Sequence, residues 1–262
     1  MQIMKKKNIG FILLAAMALF VAACDKGDDF LYKEKMLSFA LSGYNGSGQD
    51  LEVQIDTLQK KFYLSNGKFN ANAAYTFPEG KSTVHMTVRE KSGKVVLEKD
   101  VKKEEGTFKL NFFYLNGQVG DMPAPPPFEE GKIKLKYMWM PTQTKYTGPV
   151  DIAVGKLYFL PKVFEELARV KNVKPGEFCE TISIDPFPTA GQTYNGQPTP
   201  VLFVIYIYKA GTNEFYTNGT GYDWSITTTA PKPSANVAST RMYIFSENPA
   251  GSLMAFVKNL EI

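Results

Sequence analysis

Short runs of alternating apolar and polar residues, each closed by turn formers, recur along most of this chain. An extended strand sends successive side chains to opposite faces, so such runs build half-buried sheets rather than helices. Leu51-Glu52-Val53-Gln54-Ile55 places Leu51, Val53 and Ile55 on one face. Thr83–Arg89 turns Val84, Met86 and Val88 inward and leaves Thr83, His85, Thr87 and Arg89 outward. Ser92-Gly93, between Lys91 and Lys94, predicts a hairpin turn into Val95–Val101, and Phe108–Phe112 alternates once more. Strands at this spacing predict an antiparallel sandwich spanning 37–120.

Pro123, Pro125, Pro126 and Pro127 cannot donate to a ladder and favour a stiff extended spacer, which sets a linker at 121–129. A second block, 130–262, opens with Ile133, Leu135, Tyr137 and Trp139 alternating against Lys132, Lys134 and Lys136, a solvated outer face. Leu202–Tyr208 is apolar on both faces and predicts a central strand buried on each side. Met242–Phe245 and Leu253–Val257 predict the closing strands. Pro161–Val170 has the spacing of a short helix, with Pro161 in its first turn and Val163, Phe164, Leu167 and Val170 on one face. The expected fold is mainly β: two Ig-like β-sandwich domains with one short helix in the second. Tyr63-Leu64-Ser65-Asn66-Gly67 and Tyr114-Leu115-Asn116-Gly117 look alike, but no consistent period makes them a repeat.

The first 23 residues read as an address. Lys5–Lys7 form a positive start, Ile9–Val21 a short apolar run, and Ala22-Ala23 a small-residue exit into Cys24. That run is too short to span a hydrocarbon core of ~30 Å comfortably. Phe20-Val21-Ala22-Ala23-Cys24 resembles a bacterial lipobox, in which the cysteine thiol is acylated and becomes the new N-terminus. The expected partner of Cys24 is therefore a membrane, held through acyl chains. Residues 24–36 form a polar tether, and Asp25-Lys26-Gly27-Asp28-Asp29 resembles the surface-export signals of Bacteroidetes lipoproteins. Removing the leader leaves 27 basic against 26 acidic residues, of which only Arg89, Arg169 and Arg241 are arginines. No basic face of the kind nucleic acid requires is expected.

The lipobox, Ser42-Gly43-Tyr44-Asn45-Gly46 leading to Asp50–Asp56, the sandwich-like first block and the proline spacer together resemble Bacteroidetes surface lipoproteins. Many of these lie beside nutrient-uptake systems and carry tandem β-sandwich modules. The resemblance implies an outer-membrane, lipid-anchored protein that faces the exterior or else the periplasmic leaflet. It does not imply an activity, because fold does not fix function. Asp56-Thr57-Leu58 resembles the short O-glycosylation sequon of exported proteins of this group, which makes Thr57 a candidate acceptor.

Catalytic signals are sparse. The chain has no G-x-S-x-G elbow, H-E-x-x-H, P-loop or dinucleotide fingerprint. A single histidine, His85, on the outward face of its strand, reads as a surface residue. Cys179, with Phe178 and Ile182 nearby, reads as buried and inert. Glu104-Glu105, Glu129-Glu130 and Glu165-Glu166 are sequence neighbours that diverge on a strand, and distant carboxylates meeting as a glycosidase pair is the residual enzymatic alternative. The reading is a non-enzymatic protein with no cofactor and no metal.

Glu214–Ser225 is rich in aromatic, Asn and Gly residues. Tyr216, Tyr222 and Trp224 form either a stacking platform for sugar rings, with Asn218 and Asp223 at its edge, or the packed end of the sandwich. The alternation of Trp224, Ile226 and Thr228 with Ser225 and Thr227 predicts a strand start and a core position for Trp224. That leaves Tyr216 and Tyr222 for ligand contact. The expected function is a non-catalytic binding module for glycan. The alternative is a protein-interaction, accessory or adhesion subunit of an outer-membrane assembly, docking through sandwich edges. Arginine-cleaved polymerisation, as in fimbrial subunits of this group, is disfavoured because the first arginine, Arg89, lies inside a predicted strand.

Overall fold

Alternation becomes strand in most of the runs where it was legible. The computed structural model describes residues 36–56 and 60–262; the leader, the tether with Cys24, and Thr57 lie outside the described residues. The first eight strands are β1 (Met36–Asn45), β2 (Leu51–Ile55), β3 (Lys60–Leu64), β4 (Gly67–Thr76), β5 (Thr83–Arg89), β6 (Val95–Lys102), β7 (Thr107–Leu115) and β8 (Gln118–Asp121). They form two sheets, ordered β4-β1-β7-β8 and β3-β2-β5-β6. Leu37, Phe39 and Leu41 of β1, Leu51, Val53 and Ile55 of β2, and Val84, Met86 and Val88 of β5 are all fully buried, each set one period-two face of its strand. His85 lies on the opposite, exposed face with its Nδ1 2.6 Å from Asp100 Oδ1.

The remaining strands are β9 (Ile133–Met140), β10 (Val150–Tyr158), β11 (Val163–Val173), β12 (Ile182–Ile184), β13 (Thr193–Tyr194), β14 (Gln197–Pro198), β15 (Val201–Lys209), β16 (Ser239–Glu247) and β17 (Phe256–Glu261). Sheets β12-β9-β16-β17 and β11-β10-β15 face each other across a core of Leu135, Tyr137, Trp139, Ile152, Val154, Phe203, Ile205, Ile207, Tyr243 and Phe245. Most neighbours are antiparallel, but β16 runs parallel to β9 in register Ser239↔Ile133 through Ser246↔Met140. Cys179 is buried at this core. Its Sγ accepts the Tyr137 N–H at 3.2 Å, and burial pushes the thiol up to about 11.

The chain divides into two compact units. Among the described residues, one comprises 36–42, 50–56, 60–64 and Asn70–Asn111; the other comprises Gly43–Gln49, Ser65–Phe69 and Phe112–Ile262. Strands β1, β4 and β7 each supply residues to both. The proline-rich segment 121–129 falls within the second unit.

Three expectations need correction. Residues 161–170 are not helical: they enter β11, and the one helical turn among the described residues is the 3-10 turn Lys103–Glu105. Strand β15 is not central, because β10 lies between it and β11; its outer edge is instead closed by irregular chain, through Tyr216 N to Ile207 O (3.2 Å) and Ala230 N to Ile205 O (3.1 Å). The run Trp224–Thr228 forms no strand and lies in irregular chain after an isolated bridge between Asp223 and Leu253.

Candidate functional site

Register fixes which loops of the second unit meet. The start of β10 pairs with the ends of β11 and β15, as Val150↔Val173 and Val150↔Lys209, and the end of β16 pairs with the end of β9. The loops after β9, β11, β15 and β16 therefore gather at one end of that sandwich. Loops at the end of a rigid sandwich can carry binding residues without disturbing the core.

A buried carboxylate organises this end. Glu247, last residue of β16, is only 3% exposed. Its side chain accepts the backbone N–H of Gln143 (2.7 Å) and Thr144 (2.8 Å) and the Thr144 hydroxyl (2.6 Å). The hydroxyl of Thr142 donates to the Glu247 carbonyl at 3.2 Å. Thr144 Oγ1 in turn accepts the Tyr146 N–H at 3.3 Å, so the β9–β10 loop is held from Glu247 outward to Tyr146. Charge-assisted bonds to backbone N–H groups are among the stronger hydrogen bonds, and they balance the cost of burying this carboxylate.

The aromatic residues of the 214–225 segment are spent on packing. Tyr216 is fully buried, with its ring 4.6 Å from Trp139 and 5.8 Å from Tyr146. Burial, with the Glu247 charge beside it, holds its hydroxyl neutral far above the usual tyrosine range. The expectation that Tyr216 contacts ligand is thereby corrected: it offers no face to solvent. Its neighbour Phe215 turns the other way, onto the outer face of β15, where it stacks on Tyr208 (4.9 Å, 24°). Trp224 lies flat on Phe215 (4.7 Å, 8°), meets Tyr216 edge to face and packs at a tilt on Phe256. It joins the main core to a second apolar cluster of Ala153, Leu157, Val204, Tyr206 and Tyr208 on the outer face of the β11-β10-β15 sheet. Tyr222 is half-buried against the main core, while Asn218 and Asp223 are exposed. Asp223 holds the segment to the last loop through its backbone, N to Ser252 O and O from Met254 N, both 2.8 Å.

Several carboxylates in this unit are tied to partners. Asp151 is buried and accepts the N–H of Asn172 (3.0 Å) and Gly211 (3.1 Å), with Arg169 at 3.5 Å. Arg169 binds Glu166 through Nε (3.0 Å) and Nη2 (2.6 Å) and lies over the Tyr208 ring at 5.0 Å. Glu165 faces away from Glu166, accepting the Tyr158 hydroxyl at 2.7 Å. Glu247 and Asp151 carried no signal in the sequence, since an isolated acid at either end of an apolar strand looks like any solvated strand terminus.

No protein-family model matches the chain, and no curated protein matches it. Among solved structures, a Bacteroides uniformis protein provisionally described as a cell adhesion protein aligns over 86% of this chain and 97% of its own, at 9% identity and a TM-score of 0.22. A leucine-rich repeat protein from Bacteroides thetaiotaomicron aligns over 69% of this chain and 25% of its own, at 13% identity and a TM-score of 0.17. Likenesses at these TM-scores carry no argument about what the chain does.

Proposed function

We propose that this chain is a lipid-anchored, non-catalytic binding protein of the bacterial outer membrane, displayed outward, with a glycan as its ligand. The observation that carries the reading is the loop end of the second sandwich. There a buried carboxylate pins a loop that carries the Tyr146 ring, and the exposed Asn172, Lys174 and Glu177 lie beside it. Rigid aromatic surface beside amides and carboxylates is the chemistry that recognises sugars: C–H faces stack, and hydroxyls exchange hydrogen bonds. The buried carboxylates nearby, Glu247 and Asp151, are held in structural bonds, which favours binding over acid–base chemistry. The lipobox-like residues before Cys24 support the anchor, since several acyl chains hold a protein durably where one does not.

Growth with radiolabelled palmitate tests the anchor: label is expected in the wild type and absent from Cys24→Ser, and equal labelling of both overturns it. Protease added to intact cells tests display; digestion is expected, and protection until lysis assigns the protein to the periplasmic side.

A further inference from the structure

On the loop end described above, and resting on the glycan reading, one site is more completely built than the 214–225 segment. A cleft of about 580 Å³ opens between the β9–β10 loop and the loop after β11. Tyr146, Pro149 and Pro175 form its apolar walls, and Asn172, Lys174 and Glu177 supply its polar groups. Small-ligand sites have this make-up, mostly apolar surface with a few directed polar groups.

The principal wall is fixed before any ligand arrives. The Tyr146 ring packs against Trp139 at 6.0 Å and Tyr216 at 5.8 Å. Its backbone is held by Thr144, which Glu247 holds. Behind it, Gly148 leaves no room for a side chain, since a Cβ there would lie 2.9 Å from the Tyr146 hydroxyl. Asn172 is equally fixed: it adopts the left-handed conformation (φ 56°), and its N–H is bound to Asp151. Lys174 and Glu177 lie 3.8 Å apart and largely in solvent, with side chains 70% and 64% exposed. They place a cationic donor and an anionic acceptor side by side.

We infer that this cleft binds one ring of a neutral oligosaccharide. The Tyr146 ring and the two prolines take the C–H face. The Lys174 ammonium donates to one hydroxyl, the Glu177 carboxylate accepts from its neighbour, and the Asn172 amide does either. Opposite charges this close offset each other's field, which favours hydroxyls over a carboxylate or sulfate.

The test begins with the detergent-solubilised full-length protein on an array of neutral, carboxylated and sulfated oligosaccharides. The best neutral oligosaccharide is then titrated against the wild type, Asn172→Gly, Glu177→Ala and, at the opposite end of the sandwich where Ile184 pairs with Ile133, Asp185→Ala. Asn172→Gly keeps the backbone conformation and the bond to Asp151, so a folded variant lacking only the amide is expected. Affinity is expected to fall about tenfold or more in Asn172→Gly and in Glu177→Ala, with unchanged melting temperature and an unchanged affinity in Asp185→Ala. Wild-type affinity in both cleft variants overturns the cleft while leaving glycan binding intact. Retention of only the carboxylated or sulfated members overturns the neutral class. Retention of none overturns the glycan reading itself, and the cleft with it.

Discussion

Adjacent residues with similar side chains serve opposite faces here. Phe215 and Tyr216 sit one peptide apart, yet one stacks on the outer face of β15 and the other fills the main core. The bridge between Tyr208 and Phe215 carries strand alternation into what reads as loop, and a glycine-rich sequence gives no sign of it. Trp224 sits where the two apolar clusters meet, and its Nε1 is buried without a hydrogen-bond partner among the described residues. Trp224 is partly buried, so Trp224→Ala is expected to cost about 2–3 kcal/mol in urea unfolding, below the roughly 3–5 kcal/mol of a fully buried ring. Trp224→Phe should cost much less, because it keeps the stack on Phe215 and removes an indole N–H that gains nothing. Equal losses in both would show that the indole itself is needed. Glu247 is the polar counterpart. Glu247→Ala leaves two backbone N–H groups and a hydroxyl without their acceptor, so a loss on the order of 3 kcal/mol is expected in the same assay. Stability within error of the wild type would show that the 142–146 loop holds itself.

At the scale of elements, what the sequence discloses depends on whether period two runs unbroken. Leu51–Ile55 and Thr83–Arg89 alternate cleanly and are strands over those same residues. Strand β11 does not, and the reason is local. Its pairing with β10 slips by one residue, from Gly155↔Glu166 to Val154↔Ala168, so Leu167 is an extra residue and packs on the core side beside Ala168 and Val170. Phe164 faces the other way, onto the outer cluster. A bulge inserted into period two gives apolar spacings of three, which imitate a helix face. Similar phrases can also part company. Asn116 and Gly117, both at positive φ, turn β7 straight back into β8, whereas Asn66-Gly67 leads from β3 into β4 of a different sheet. Opposite the bulge, Gly155 is required by space. A Cβ there would sit 2.2 Å from the Glu165 carbonyl oxygen and 2.5 Å from the Phe164 ring. Gly155→Ala must then push β11 away from β10, and a cost of about 1–3 kcal/mol or more is expected in thermal unfolding. An unchanged melting temperature would mean that this pairing is looser than the spacing requires.

For the molecule as a whole, the distribution of ionisable groups predicts which end of the pH scale unfolds it. The acids held below their usual range are Glu129, Glu165, Glu214 and Glu261, each through a lysine or tyrosine hydrogen bond near the surface. Such groups add stability above their unfolded pKa and lose it as pH falls, but exposed pairs are screened and contribute little. The basic end differs in kind. Burial pushes Cys179 up to about 11 from its ordinary 9.0, and Tyr44, Tyr75 and Tyr208 up to about 12 from 10.0. Burial also holds Tyr137, Tyr206, Tyr216 and Tyr243 neutral at higher pH still. A group whose folded pKa is raised adds its full stability below the unfolded value and loses it as pH climbs through the folded one. Here the loss begins near pH 9, with Cys179, and steepens above pH 10, when the unfolded chain can ionise its tyrosines and the folded core cannot. The melting temperature is thus expected to change little on mild acidification and to fall progressively from pH 9 to 12, and phenolate absorbance from the buried tyrosines should appear only as the chain unfolds. At pH 8 the Cys179 thiol should resist a disulfide reagent until denaturant is added, because the same burial that raises its pKa denies it the thiolate. Phenolate appearing at alkaline pH while the native fold persists would mean that the aromatic core admits water, and that the packing of Tyr137, Trp139, Tyr216 and Trp224 is not the rigid frame on which the loop end depends.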